Sequence, residues 1–146
     1  MHTKYRTTLK ALAVVGAATA LAATGIGPAG ADATIPLNVG QETTGSDTGA
    51  HGFFSYTIEG SELCYTLSVQ NLSANAVAAH IHVAPRRVAG PIVIPLVVEH
   101  ATTWTHSACT TADAGLLAAI SADPGAYYVN VHTPTFPGGE IRGQLK

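Results

Sequence analysis

"YYVNVHTPTFPGGEIRGQL", residues 127–145, decides the fold. Two alternating segments flank "PTFPGG", so the stretch reads as strand, sharp turn, strand. Opposed residues on paired strands share a face, so the hairpin sorts by hydrophobicity before its register is known. One face takes Tyr127, Val129, Val131, Ile141 and Leu145, with Gly143 among them. The other takes Tyr128, Asn130, His132, Glu140, Arg142 and Gln144. The apolar set is expected in the core, with Gly138 and Gly139 free to take the positive φ a tight reversal needs.

The same period of two runs outward from this hairpin. "HGFFSYTI" at 51–58 puts Phe54, Tyr56 and Ile58 on one face. "ELCYTLSVQN" at 62–71 alternates Leu63, Tyr65, Leu67 and Val69 against Cys64, Thr66, Ser68 and Gln70. The intervening "EGSE" is a turn, which makes these two a hairpin. "AVAAHIHVA" at 76–84 and "IVIPLVVE" at 92–99 are further strands, joined by the loop "PRRVAGP", and Pro95 marks an edge or a bulge. "TADAGLLAAISADPG" at 111–125 has Leu116, Leu117 and Ile120 at helical spacing. Thr111 or Asp113 is placed to cap it, and Pro124 and Gly125 end it. Short strands with turns between them, plus one short helix across an end, predict an antiparallel all-β sandwich or barrel. "VGQETTGSDTGAHG" at 39–52 reads as a polar loop.

Residues 1–31 read as a secretory signal peptide: Lys4, Arg6 and Lys10 precede an alanine-rich apolar stretch, and "AGA" at 29–31 places cleavage before Asp32. The stretch is too short and alanine-rich to favour permanent insertion, and no second hydrophobic segment follows, so a released protein with no membrane span is expected. Residues 32–146 suffice for one domain. Four basic residues stand there against nine acidic ones, a formal charge of −5, which argues against nucleic acid or an anionic membrane as partner. Cys64 and Cys109 are the two cysteines of a chain that leaves the reducing cytosol, and are expected to form one disulfide.

In "AVAAHIHVA" the apolar face holds Val77, Ala79, Ile81 and Val83, leaving His80 and His82 on the opposite side. Histidines at i and i+2 of a strand project in parallel, so both can reach one metal ion. His132 supplies a third nitrogen if its strand lies nearby. Three neutral imidazoles suit copper or zinc. The competing reading is structural: His132 bonds Glu140 or a loop carbonyl, and Arg142 pairs with Glu140. Asn130, Glu140 and Arg142 form the polar face around this candidate site. His51, His100 and His106 look like loop or strand-end residues. Trp104 and Phe136 are expected in core or loop packing. No nucleophile elbow, nucleotide-binding glycine loop or H-E-x-x-H occurs, so no catalytic residue is assigned.

"AHIHVAP", "GPIVIPL" and "GLLAAISADPGAYYVNVHTPTFPGGEIRGQL" together resemble the CHRD (chordin) domain, from about the "FFSYTI" strand to the C-terminus. "RR" after "AP" departs from the small, glycine-containing loop usual there. The resemblance implies an immunoglobulin-like β-sandwich with faint similarity to copper–zinc superoxide dismutases. "AHIH" is similar to the dismutase strand with two copper histidines, "NVHT" to its later copper histidine, and Arg142 to the substrate-guiding arginine. The dismutase zinc cluster has no counterpart, which argues against full dismutase activity. Chordin sequesters growth factors, but fold does not carry a partner across to a single-domain protein. The leading expectation is a secreted, non-enzymatic module with an unidentified extracellular partner. The alternative is a copper- or zinc-binding protein using His80, His82 and His132, and a redox enzyme at that site comes third.

Overall fold

The computed structural model describes residues 33–146; the signal-peptide reading of residues 1–31 lies outside them. Eight antiparallel strands and one short α-helix make up the domain. The strands are β1 (Ile35–Asn38), β2 (His51–Glu59), β3 (Glu62–Gln70), β4 (Ala78–Val83), β5 (Ile92–Leu96), β6 (Trp104–Thr111), β7 (Tyr127–His132) and β8 (Ile141–Gln144). The helix α1 (Ala114–Ala122) separates β6 from β7.

In place of the two separate sheets of a sandwich, hydrogen bonding runs through a single sheet in the order β5-β4-β7-β8-β1-β2-β3-β6. Two four-stranded halves meet where β8 joins β1, with Asn38 paired to Arg142. Every strand turns its apolar face toward one core. Ile35, Phe54, Leu67, Ile81, Ile94, Trp104, Val129 and Ile141 represent the eight strands in one buried cluster. A sheet that buries one face against itself must curl, and this one is nearly barrel-shaped.

The alternation works as the sequence predicts. In β3, Leu63, Tyr65, Leu67 and Val69 are buried while their neighbours are not. The β2–β3 hairpin closes with Glu59 opposite Glu62, and Gly60 takes φ 60° in the turn. Pro95 lies on the terminal strand β5, whose register with β4 shifts between Ile81 and His82. A proline cannot donate to a ladder, and an end strand spares it the need.

The helix starts where the Asp113 carboxylate accepts the backbone N–H of Leu116 at 2.9 Å, satisfying one of the orphan donors of the first turn. Leu117 and Ile120 enter the core, and Pro124 opens a 3-10 turn that ends the helix. Cys64 and Cys109 stand directly opposite each other on β3 and β6 and are disulfide-bonded.

Two strands go beyond those the hydrophobic pattern marks. β1 is four residues long and contains Pro36. β6 alternates Trp104, His106, Ala108 and Thr110 on its inner side, and only Trp104 there is a bulky apolar residue. Both owe their conformation to pairing with β2 and β3 respectively, not to their own composition.

Candidate metal centre

Strand order makes β4 and β7 neighbours, with His80 opposite Asn130, His82 opposite Tyr128 and Ala78 opposite His132. The non-core faces of the two strands therefore merge, and the three imidazoles converge. One nitrogen from each of His80, His82 and His132 lies within 4.8 Å of the other two. His80 Nδ1 and His132 Nε2 are 3.1 Å apart. Two nitrogens at ordinary zinc–imidazole bond lengths sit about 3.3 Å apart in a tetrahedral site, close to the His80–His132 separation.

Backbone carbonyls orient two of the rings. His82 Nδ1 lies 2.8 Å from the Gly90 carbonyl, and His132 Nδ1 lies 2.9 Å from the Pro137 carbonyl. A carbonyl only accepts, so each Nδ1 carries the hydrogen and each Nε2 of the neutral ring carries the lone pair. Metal-ligating histidines are held by the same kind of second contact. His82 Nε2 is buried and has no hydrogen-bond partner.

The electrostatics favour the neutral form of His80 and His132. Burial, then the adjacent His132 and His82, push the His80 pKa down to about 4. Burial also lowers His132, with His82 adding to it and the Pro137 contact opposing it. At neutral pH these two rings are therefore uncharged, the form a metal requires. With the hydrogen on His132 Nδ1, the 3.1 Å contact is His80 Nδ1–H donating to His132 Nε2, a bond an ion would replace.

The structural reading of His132 is met in part, since its Nδ1 bonds a loop carbonyl, and its Nε2 lies beside His80 Nδ1. Glu140 is different. The reading that pairs it with Arg142 or His132 gives way to a buried carboxylate at 0% exposure, tied to other groups. Oε1 accepts from the Thr48 hydroxyl and the Ser73 N–H, and Oε2 accepts from the Ser73 and Thr133 hydroxyls. Burial alone would raise the Glu140 pKa, but these donors outweigh it and hold the carboxylate below its usual value. Arg142 is likewise buried, donating to the carbonyls of Val88 and Pro85 and to the Gln144 side chain. Asn130 is buried beside it, opposite in register.

The polar face is thus turned away from the core, as expected, yet it does not face water. Residues 84–91, the segment from 39 to 48 and the turn at 133–139 contribute the groups that meet it. His82 and His132 are buried and His80 is half-buried. Among the described residues, the other histidines stay apart from the cluster: His51 bonds the Gly49 carbonyl, His100 the Ala76 carbonyl, and His106 the Glu99 carboxylate at 2.7 Å. Trp104 packs in the core. A second grouping, Glu62 with Cys64 and Cys109, offers no thiolate because both sulfurs are in the disulfide.

The carbonyls of Gly90 and Pro137, and the Tyr128 ring stacked 4.8 Å from His82, escape a reading based on side-chain types. Backbone acceptors carry no residue signature. Glycine and proline clustered in the two loops were the available signal, and they mark turns without saying what the turns touch.

These features define a disulfide-bonded, antiparallel β-module with a three-histidine cluster under its own loops. The CHRD domain model matches residues 33–145, and the chain belongs to the CHRD family. Neither the curated proteins nor the solved structures contain a match to it. Among the described residues, no helix is long and apolar enough to cross a membrane.

Proposed function

We propose that this protein is a secreted, non-enzymatic CHRD module, and that the ligand its geometry supports best is one copper or zinc ion held by His80, His82 and His132. The observation that carries the reading is the buried, unpartnered Nε2 of His82, on a ring grouped with two other imidazoles. Burying a polar atom without a partner costs free energy, and a metal bond would recover it. Export is supported by the basic-then-apolar pattern of residues 1–31 and by the disulfide. The absence of carboxylates from the set favours a late transition metal over calcium or magnesium.

The ion would be bound by His82 Nε2 and His132 Nε2 with a nitrogen of His80. Half-buried His80 is the side from which an ion or a further ligand would enter. Nothing near the cluster is assigned a proton-transfer role, so the reading stops at binding. An extracellular protein partner is the second reading, supported by family membership. The closed polar face leaves it the outer surfaces of the domain.

Equilibrium dialysis of purified protein against Cu(II) and Zn(II) at neutral pH tests the metal reading. About one equivalent should be taken up, and His82→Ala should abolish uptake while the protein stays folded. No uptake of either ion by the wild type would remove the metal and leave the protein-binding module.

A further inference from the structure

Tyr128 is enclosed from two strands. His82 reaches it from β4, its ring stacked 4.8 Å away at an interplanar angle of 7°. Arg142 reaches it from β8, with the guanidinium carbon 3.3 Å from the ring centroid. Because β7 lies between β4 and β8, imidazole and guanidinium reach the phenol ring from the two flanking strands. The same guanidinium holds the loop that follows β4. Nη1 donates to the Val88 carbonyl at 2.8 Å and Nη2 to the Pro85 carbonyl at 2.9 Å. Two residues further along that loop, Gly90 donates its N–H to the Tyr128 hydroxyl at 3.2 Å and accepts from His82 Nδ1 at 2.8 Å. A side chain at Gly90 would run into the Val83 carbonyl, so strand and loop are in close contact there.

We propose that Arg142 is the positioning residue of the three-histidine site: by clamping the Pro85–Gly90 loop and the Tyr128 ring, it presents the Gly90 carbonyl to His82 and fixes the tautomer whose Nε2 carries the lone pair. The inference rests on the metal reading for its consequence, but the clamp itself consists of contacts present without an ion. A buried arginine, 1% exposed, that spends its donors on loop carbonyls and its face on an aromatic ring is poorly replaced by lysine, which lacks both the planar fork and the stacking surface. The loop carries the exposed residues Arg86 and Arg87, the latter at φ 62°. Between Pro85 and Val88 its backbone has its own turn bond and the two Arg142 contacts; Arg86 donates to Gln41, and Gly90 meets His82 and Tyr128 at the far end of the loop. Outer contacts that orient a metal-ligating histidine change affinity by roughly 10- to 100-fold when removed.

The test compares wild type, Arg142→Lys, Arg142→Met and Tyr128→Phe in the full exported domain. Zn(II) affinity is measured by competition with a chromophoric chelator, and the His82 ring is read by imidazole nitrogen NMR without metal. The proposal expects a slowly exchanging Nδ1–H on His82 in the wild type. Both Arg142 variants should lose it and bind Zn(II) roughly 10- to 100-fold more weakly, although all three histidines are intact. Tyr128→Phe keeps the stack and removes only the acceptor for Gly90 N–H, so its effect should be smaller and in the same direction. If Arg142→Met fails to fold, Arg142→Lys and Tyr128→Phe carry the comparison. Zn(II) affinity within twofold of wild type in Arg142→Lys, with the His82 Nδ1–H retained, overturns the positioning role while the metal site stands. If the wild type takes up no metal, the metal reading fails, and the clamp stands or falls on whether the Arg142 variants lose the His82 Nδ1–H signal.

Discussion

Replacing Glu140 with alanine should be among the most damaging single changes outside the hydrophobic core. The carboxylate is fully buried and accepts four hydrogen bonds of 2.7–2.8 Å from Thr48, Ser73 and Thr133. It thereby fastens the segment after β1, the segment after β3 and the β7–β8 turn at one point. Three of the four donors are hydroxyls, which can turn toward other acceptors, but the Ser73 N–H cannot. A stranded donor costs about 1–3 kcal/mol, and bonds to a charged acceptor contribute about 1.5–3 kcal/mol each without adding fully. A loss of about 3 kcal/mol for Glu140→Ala follows, equal to a fall in Tm of roughly 9–15 °C for a domain of this size. Glu140→Gln keeps one oxygen for the Thr48 and Ser73 N–H pair and presents an amide to two hydroxyls able to accept, so it should cost only about 1–2 kcal/mol. Urea and thermal unfolding, followed by Trp104 fluorescence and circular dichroism, measure both, with the urea slope unchanged if only stability moves. A shift below about 0.5 kcal/mol for Glu140→Ala, within the range of an ordinary surface substitution, would refute the view that this carboxylate fastens the loops. The turn it secures also carries Pro137, whose carbonyl orients His132, so Zn(II) affinity should fall alongside stability.

Stability should also decline in acid in two stages. His80 has a folded pKa of about 4, below the roughly 6.5 of an unfolded histidine, so its contribution is complete above about pH 6.5 and shrinks as pH falls toward 4. Glu140, held below the usual carboxylate value, contributes fully above about pH 4.3 and loses that contribution as pH drops through its folded pKa. Urea midpoints that stay flat from pH 7 to pH 5, or that fall equally in His80→Asn, would contradict the first stage. Cys64→Ser with Cys109→Ser removes a cross-link spanning 45 residues, which the chain-entropy model values at about 4 kcal/mol. The midpoint should fall accordingly, whereas Zn(II) uptake by the folded double variant should be unchanged, because the bond joins β3 and β6 in the other half of the sheet.

Much of the architecture was legible because a strand's side chains alternate with a period of two. Leu63, Tyr65, Leu67 and Val69, or Val129 with Val131 and Ile141, can be assigned to the core from spacing alone. So can the common outward direction of His80, His82 and His132, since i, i+2 spacing depends only on the local backbone. Asp113, Pro124 and Pro95 announce a helix start, a helix stop and an end strand through local chemistry. β1 and β6 were not legible, because their pairing energy comes from β2 and β3 rather than from their own few apolar residues.

Spacing and local chemistry were enough to assign most residues that face the core, the chain reversals, the cysteine pair and the histidines that share a side. Val77, grouped by alternation with Ala79 and Ile81, is instead exposed just before β4. Tertiary structure alone decided that the two halves fuse into one curled sheet, that β4 lies beside β7, and that three loops close over the polar face. It also turned Glu140 and Arg142 from candidate partners of each other into separate anchors for those loops. The physical reason is one of range. Alternation, capping and turn preferences act over a few residues, whereas the Gly90 and Pro137 carbonyls that orient the histidines are common to every residue type and acquire a role only when distant segments meet.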